Sequence, residues 1–241
     1  MDANWVTTSG MTEAGPHFFL MPASQISIGD VWHYAGMAGT GSNDMIVEEV
    51  FVPDHRAMSA ADWYMGGTPG GKLHDNPMFS VPSMLMMYCE TIGVFSGGLK
   101  GMAREFGEIT GKRLRKFTNE NAAETQLGQV ALGEAVLASR IACELVEKHA
   151  EFTEGLIERR AVTIAERIHG KSHIGYVARH CRDAANAMMG NVGSSAFHLD
   201  APIQRYWRDI NAAARHASLD TQAIYALVGQ TCFGLDPKGQ F

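Results

Sequence analysis

The sequence predicts an α+β fold that is mainly α, with a partial β-domain over residues 1–58 and a four-helix bundle over residues 81–241. Two observations indicate this division. Apolar residues near the start recur with the period of two that is typical of strands, whereas from residue 81 onward they recur at helical spacing. Residues 59–80, which are rich in glycine, proline and aspartate, are predicted to form a linker or surface excursion.

Short β-rich runs define the first part of the chain. Residues 5–8 and 17–21 are bounded by glycine and proline, and residues 27–32 and 45–52 indicate further strands. The glycine-rich turn over residues 36–42 lies among them and favours positive φ angles or a close backbone approach. A sheet with so few strands has an exposed edge unless another element covers it.

Four apolar stripes predict the helices of the bundle. The first stripe consists of Met84, Tyr88, Ile92, Phe95, Leu99, Met102 and Phe106. The second runs over residues 127–145, the third over about 157–189 and the fourth over about 203–230. Glu134 lies within the second stripe, where a carboxylate is costly unless it is paired, so we expect an ion pair with an arginine of a neighbouring helix.

The composition excludes several function classes. A net charge of −6 leaves no basic stripe that could follow the phosphates of a nucleic acid. No apolar run reaches the roughly 18 residues of a membrane-spanning helix, and the first residues do not resemble a signal peptide. The four cysteines are far apart in the sequence and indicate reduced thiols. We therefore expect a soluble cytoplasmic protein that binds neither nucleic acid nor membrane.

A metal site is not expected. Glu166 and His169 have the Glu-x-x-His spacing of di-iron four-helix bundles, but such sites need a second copy of the motif and two further glutamates. The second copy is absent from the sequence. A polar helix face or a subunit interface is the ordinary explanation, and a histidine-lined wall of a substrate pocket is the alternative.

Specific motifs give the chain a resemblance to a known family. The Gly-x-x-Gly-Thr-Gly-Ser turn at residues 36–42, the Phe-Val-Pro sequence at residues 51–53 and the predicted bundle resemble the acyl-CoA dehydrogenase superfamily. More narrowly, they resemble its flavin-dependent monooxygenase branch, the oxygenase components of two-component aromatic hydroxylases. The family opens with an N-terminal helical domain, which the resemblance implies is lacking here.

A second signature separates the two activities of that family. Dehydrogenases carry an Arg-Asp pair and, eight residues after the aspartate, a glutamate that removes a substrate proton. Counting from Asp209, that position is Ala217, which cannot take a proton, and His216 precedes it. The monooxygenase branch carries a histidine here, so the resemblance implies that His216 is catalytic, as a hydrogen-bond donor to the reacting oxygen or as the base for a phenol. The alternative is a histidine satisfied by Asp209 or Asp220.

The resemblance also implies a reduced flavin, FMN or FAD, and candidate residues to hold it. Gly39, Thr40 and Ser42 could offer backbone N–H groups and hydroxyls to the polar atoms of the flavin. Trp32 could form a wall of the flavin pocket. The alternatives are a tight turn that needs glycine and a tryptophan that belongs to the core.

The phosphate of the flavin has candidate partners in the bundle. Arg113 and Arg115 occupy the region where the family supplies an arginine to this phosphate, and a guanidinium can donate two parallel hydrogen bonds to it. The sequence gives no basis for choosing between them. Gly190 and Gly193 match the family's glycine turn near the phosphate. A solvated loop and a helix-terminating loop are the alternatives.

The leading interpretation is an oxygenase component that receives reduced flavin from a separate flavin reductase and hydroxylates a small aromatic substrate with O2. An acyl-CoA dehydrogenase-type oxidoreductase is the second interpretation, which Ala217 disfavours. The third is a non-catalytic fragment that retains the assembly domain. The resemblance further implies a homo-oligomer, either a dimer or a tetramer.

Overall fold

A computed structural model of the chain describes residues 3–239, so the outermost ends of the two predicted domains, residues 1–2 and 240–241, lie outside the described residues. The fold is α+β and mainly α, as predicted. The strands are β1 (Trp5–Thr12), β2 (Gly15–Pro22), β3 (Ser27–Gly29), β4 (Asp44–Ile46) and β5 (Ala57–Ser59). The helices are α1 (Ala60–Met65), α2 (Pro69–Leu73), α3 (Ser83–Lys112), α4 (Gln126–Arg159), α5 (Ile164–Gly190), α6 (Pro202–Ala213) and α7 (Thr221–Cys232).

The chain forms two compact units. The first, which we call the β-containing unit, comprises the chain up to Tyr34, Ala38–Met86 and Thr153–Val162. The second, which we call the helical unit, comprises Ala35–Met37, Met87–Phe152 and the chain from Thr163 onward.

The β-containing unit holds two small antiparallel sheets, one with the order β1-β2-β5 and the other formed by β3 and β4. The β1–β2 hairpin is longer than predicted, and its turn at Glu13 and Ala14 is followed by Gly15, whose φ of 102° favours glycine. The strand predicted over residues 45–52 is only three residues long, because Glu49 adopts a φ of 51° that interrupts an extended ladder. The predicted linker contains α1 and α2, which begin at the side-chain caps Ser59 and Thr68.

The core of the helical unit is built on α3. Its predicted apolar stripe is buried except for Met84, which is half-buried, and Phe95, Leu99 and Phe106 are at most 2% exposed. The Ser139 hydroxyl of α4 donates a 3.1 Å hydrogen bond to the Ser96 carbonyl of α3. Helix α5 packs against both α6 and α7. The bundle is therefore closed by two short helices in place of the single fourth helix that apolar spacing predicted.

The apolar stripe of α4 faces outward. Four of its members are between 45% and 65% exposed, namely Leu127, Val130, Leu137 and Ile141, whereas small residues such as Ala131, Ala135 and Ala142 are buried. Glu134 is also exposed and forms no ion pair within residues 3–239. The predicted buried ion pair is therefore absent, because α4 packs inward through its alanines.

The ends of the third and fourth predicted helices differ from expectation. Helix α5 begins at Ile164 because the Thr163 hydroxyl accepts the backbone N–H of Glu166 while the Glu166 carboxylate accepts the backbone N–H of Thr163. This capping box gives Glu166 a structural role. The last predicted helix is broken between Ala213 and Thr221, and His216 lies in that break.

Candidate functional site

His216 is exposed and precedes the 3₁₀ turn Ala217–Leu219 as its N-cap residue. Its Nδ1 atom accepts a 3.2 Å hydrogen bond from the backbone N–H of Ser218 and lies 2.7 Å from the Ser218 hydroxyl oxygen. The two aspartates that the sequence offered as partners bind elsewhere. Asp209 accepts the backbone N–H of Met37, and Asp220 caps α7. The sequence analysis did not identify Ser218 as the partner of His216. Only its position two residues after a histidine that caps a turn could have indicated the contact.

The Arg208–Asp209 pair of α6 holds the start of the glycine-rich turn. The Arg208 guanidinium donates to the Ala35 carbonyl, and its Nε also donates to the Gln204 side chain at 2.7 Å. A Cβ atom on Gly36 would overlap the carbonyl oxygen of Arg208. Only glycine therefore allows this close approach, and the helix that leads to His216 also anchors the Ala35–Met37 segment.

The remainder of the glycine-rich turn lies in the β-containing unit. The Thr40 and Ser42 hydroxyl oxygens are 3.2 Å apart, and Gly41 has a φ of 56°. A Cβ atom on Gly39 would find no atom within 4 Å, so the backbone here borders open space. Three of the predicted flavin-binding residues are thus brought together in one accessible loop.

The loop is closed by a residue that the sequence prediction missed. The Asn43 carboxamide oxygen accepts the backbone N–H groups of Val31 and Trp32 at 3.0 and 2.9 Å. Trp32 is half-buried, and its ring stacks on Tyr34 with centroids 4.0 Å apart. The available signal was an asparagine directly after a glycine-rich turn, where its side chain commonly binds local backbone.

The structure separates the two candidate arginines. Arg113 is half-buried, and its guanidinium donates a 3.0 Å hydrogen bond to the Asn191 carbonyl, in the turn between Gly190 and Gly193. Its Cζ atom lies 3.5 Å from the position of a Cβ on Gly193, so Arg113 lies directly on the turn. Arg115 instead lies 3.8 Å from the Glu120 carboxylate. Arg113 therefore joins the predicted glycine turn, and Arg115 belongs to a separate loop.

These groups fit a flavin by the chemistry of their donors. The remaining N–H groups of Arg113 have no protein acceptor within residues 3–239, and they border the Gly190–Gly193 turn. A guanidinium with N–H groups that have no protein acceptor can donate hydrogen bonds to a phosphate. Within the β-containing unit, the Gly39–Ser42 loop separately offers backbone and hydroxyl groups beside open space.

A cluster of histidines lies within the helical unit, away from these predicted residues in the sequence. The Nδ1 atoms of the fully buried His149 and of His173 are 2.9 Å apart, and the His169 ring lies 4.6 Å from the His173 ring. Burial, reinforced by His169 and His149, lowers the pKa of His173 to about 4. Tyr88 approaches the same cluster, and burial raises its pKa to about 12.

Within the described part of the chain, no set of three or more histidine, cysteine, aspartate and glutamate side chains is arranged to hold a metal ion. None of the helices within residues 3–239 combines the length and the apolar character that a membrane-spanning segment requires.

The family model described as "Acyl-CoA dehydrogenase, C-terminal domain" matches residues 94–221. A pigment production hydroxylase from Rhodococcus sp. is 35% identical over 97% of this chain and 61% of its own length. The oxygenase component of an FADH2-dependent resorcinol hydroxylase from Rhizobium sp. is 31% identical over 94% of this chain and 58% of its own. The chain thus spans about three fifths of the length of these relatives.

The fold is similar to that of several solved structures. The crystal structure of 3-HSA hydroxylase from Rhodococcus sp. RHA1 matches with a TM-score of 0.86 and 26% identity, covering 98% of this chain and 63% of that one. XiaF from Streptomyces sp., solved in complex with FADH2, matches with a TM-score of 0.81 and 24% identity, over 99% of this chain and 62% of that one.

Proposed function

Because the chain belongs to the acyl-CoA dehydrogenase C-terminal domain family, we propose that it is the oxygenase component of a two-component flavin-dependent monooxygenase. It would hydroxylate a small aromatic substrate, with reduced FMN or FAD supplied by a separate flavin reductase. The observation that supports this proposal most is the helix break that contains His216. By the resemblance, Ala217 corresponds to the dehydrogenase glutamate. The methyl group of Ala217 cannot remove a substrate proton, which disfavours an acyl-CoA dehydrogenase.

The residues of the chain bind the flavin and orient the substrate. When bound, reduced flavin supplies two electrons, so that one oxygen atom of O2 enters the aromatic ring and the other leaves as water. Arg113, supported by the Asn191 carbonyl, would bind the phosphate beside Gly190 and Gly193. We favour Arg113 over Arg115, whose guanidinium lies near a carboxylate that would compete with the phosphate.

The glycine-rich turn would contact the polar edge of the flavin. Gly39 leaves room for the backbone to approach a ligand, and Thr40 and Ser42 offer hydroxyl groups. Trp32, stacked on Tyr34, would form an apolar wall. His216 would contact the reacting atoms, since its ring is exposed and Ser218 occupies only the Nδ1 side.

We propose that two or more copies of the chain associate through α4. Its exposed residues 127, 130, 134, 137 and 141 alternate in steps of three and four, the spacing of a helix–helix seam. Such a stripe suits the same stripe of a second copy. In sedimentation equilibrium we expect a dimer or tetramer that Leu137→Lys weakens at least about tenfold, while Leu199→Lys, at an exposed loop leucine, does not. A monomer at all concentrations would contradict this assembly.

The reducing cytoplasm suits this proposal, since Cys89, Cys143, Cys181 and Cys232 are free thiols and two of them are exposed. A second candidate, a non-catalytic fragment that retains the assembly domain, is motivated by the 61% and 58% of the relatives' lengths that the chain spans. Both candidates need the same helical unit, so only activity separates them.

One experiment distinguishes the candidate functions. The chain is mixed anaerobically with reduced FMN or FAD and a panel of small phenols that includes resorcinol, and is then exposed to ¹⁸O2. We expect a hydroxylated product that carries one ¹⁸O atom and does not form without the chain. Hydrogen peroxide without any hydroxylated product would favour the fragment. Bleaching of added oxidised FAD by an acyl-CoA would favour the dehydrogenase.

A further inference from the structure

We propose that Ser218 is a positioning residue that keeps the proton of neutral His216 on Nε2, so that His216 serves as a hydrogen-bond donor and not as the base for a phenol. This inference rests on the proposed function for its catalytic meaning. It decides between the two roles that the sequence left open for the imidazole.

The backbone of Ser218 determines which nitrogen carries the proton. Its N–H group lies 3.2 Å from His216 Nδ1. A backbone amide nitrogen can only donate, so Nδ1 must present its lone pair. In a neutral imidazole one nitrogen accepts while the other carries the proton. A proton on Nδ1 would place two N–H groups face to face, and the neutral ring therefore carries its proton on Nε2.

The Ser218 side chain strengthens the same arrangement. Its hydroxyl oxygen lies 2.7 Å from Nδ1, and because Nδ1 is the acceptor, the hydroxyl donates. Two backbone hydrogen bonds also fix the position of His216. Its N–H donates to the Ala213 carbonyl, and its carbonyl accepts the N–H of Leu219. The ring therefore projects from a short hydrogen-bonded break between two helices.

The Nε2–H group is the part of His216 that remains available. It has no hydrogen-bond partner within residues 3–239, and the residue is exposed. A neutral ring in this state can donate a hydrogen bond from Nε2 to an oxygen atom. It cannot take a phenol proton there, because Nε2 already carries one, and Nδ1 is occupied by both donors of Ser218. Any base for the phenol is therefore another group or water.

The protonated nitrogen can be measured without flavin. Protein labelled with ¹⁵N-histidine is studied by long-range ¹H–¹⁵N NMR at alkaline pH, and the His216 signals are assigned by their loss in His216→Gln. We expect a pyridine-type Nδ1 and a pyrrole-type Nε2. Ser218→Ala should shift the tautomer ratio about fivefold towards Nδ1–H, the effect of one neutral hydrogen bond. Ser218→Thr, which keeps the hydroxyl, should match the wild type.

A second readout links the tautomer to chemistry. With the chain, reduced flavin and a phenol that the chain hydroxylates, Ser218→Ala should lower the yield of hydroxylated product per flavin oxidised by the same factor as the NMR-measured fraction of Nε2–H falls, which is at most about fivefold. Ser218→Thr should restore the yield, and the flavin Kd should stay unchanged.

Three outcomes would overturn the inference: a proton on Nδ1 in the wild type, an unchanged tautomer ratio in Ser218→Ala, or an unchanged product yield despite a reduced fraction of Nε2–H. A wild-type chain that shows the expected tautomer but never hydroxylates would instead defeat the proposed function.

Discussion

The carboxylate of Asp209 accepts a 2.7 Å hydrogen bond from the backbone N–H of Met37, a residue 172 positions earlier in the chain. Met37 is one of the few non-glycine residues with a positive φ, at 57°. This hydrogen bond from the Met37 N–H to a carboxylate stabilises the uncommon backbone conformation of Met37. The aspartate of the Arg-Asp signature therefore has a structural role here, because it anchors the segment that opens the glycine-rich turn.

Removal of the Asp209 carboxylate should destabilise the protein. We expect Asp209→Ala to lower the free energy of unfolding by about 1.5–3 kcal/mol, the usual range for a hydrogen bond to a charged group. Asp209→Asn, which keeps an acceptor oxygen, should lose less. Urea denaturation followed by circular dichroism measures the difference. Asp236→Ala, at an exposed aspartate, is the control, and an equal effect in Asp236→Ala and Asp209→Ala would refute the anchoring role.

The glycine-rich turn offers a matched pair of substitutions. Gly36→Ala should cost roughly 1–3 kcal/mol or more, because its Cβ would overlap the Arg208 carbonyl and lie 2.9 Å from the Ala212 methyl group. Gly39→Ala should leave the free energy of unfolding within about 0.5 kcal/mol, since its Cβ meets nothing within 4 Å. Thermal and urea unfolding of both variants test this contrast. Equal stabilities would mean that the close approach at Gly36 does not exist in solution.

The two arginines should differ in flavin affinity. Arg113→Ala should raise the Kd for reduced FMN or FAD about 10- to 100-fold, because a charge-assisted pair with phosphate is lost. Arg115→Ala should change it less than about threefold, since Arg115 lies near Glu120. Anaerobic titration calorimetry measures both constants. The opposite order would assign the phosphate to Arg115.

The histidine pair predicts a pH dependence of stability. The pKa of folded His173 is about 4, below the ordinary 6.5. Above about pH 6.5 the folded and unfolded states are both neutral at this residue. As pH falls from 6.5 to 4, only the unfolded state takes up a proton, so stability is lost across this window. After a discount for partial exposure, the loss should be about 2 kcal/mol.

Urea denaturation between pH 4 and 8 measures this loss. His173→Gln, which stays neutral throughout the range and can still bond to His149, should flatten the profile. His55→Gln, at an exposed histidine, should keep the wild-type slope. An identical slope in wild type and His173→Gln would show that the histidine pair does not cause the acid sensitivity.

Apolar spacing predicted helices well but did not locate the break that contains His216. Ile210 and Ile224 are both buried, and they lie 14 residues apart, close to four helical turns. The two isoleucines therefore have the spacing that one continuous helix would give them, although the helix is broken between them. Within the break, His216 caps the 3₁₀ turn Ala217–Leu219 and Asp220 caps the start of α7, and periodicity does not register side-chain caps.

The sequence also could not show which face of α4 is buried. Leucine, valine and isoleucine spacing marks the helix, but the smaller alanines face the bundle core. Likewise, Arg113 and Arg115 are equivalent in sequence, and only the packing of the Asn191 turn against Arg113 separates them. Such distinctions depend on contacts between residues far apart in the chain, whereas the α3 stripe could be predicted because it depends on one helix alone.

The most direct test of the account is the ratio of hydroxylated phenol to hydrogen peroxide formed per reduced flavin oxidised, compared between the wild-type chain and His216→Ala. The loss of one donor at a reacting centre typically costs 10²–10³-fold in rate. We therefore expect the variant to bind reduced flavin normally, to release peroxide and to form at most a few per cent of the wild-type product. Full retention of the product ratio in His216→Ala would contradict the central role of His216.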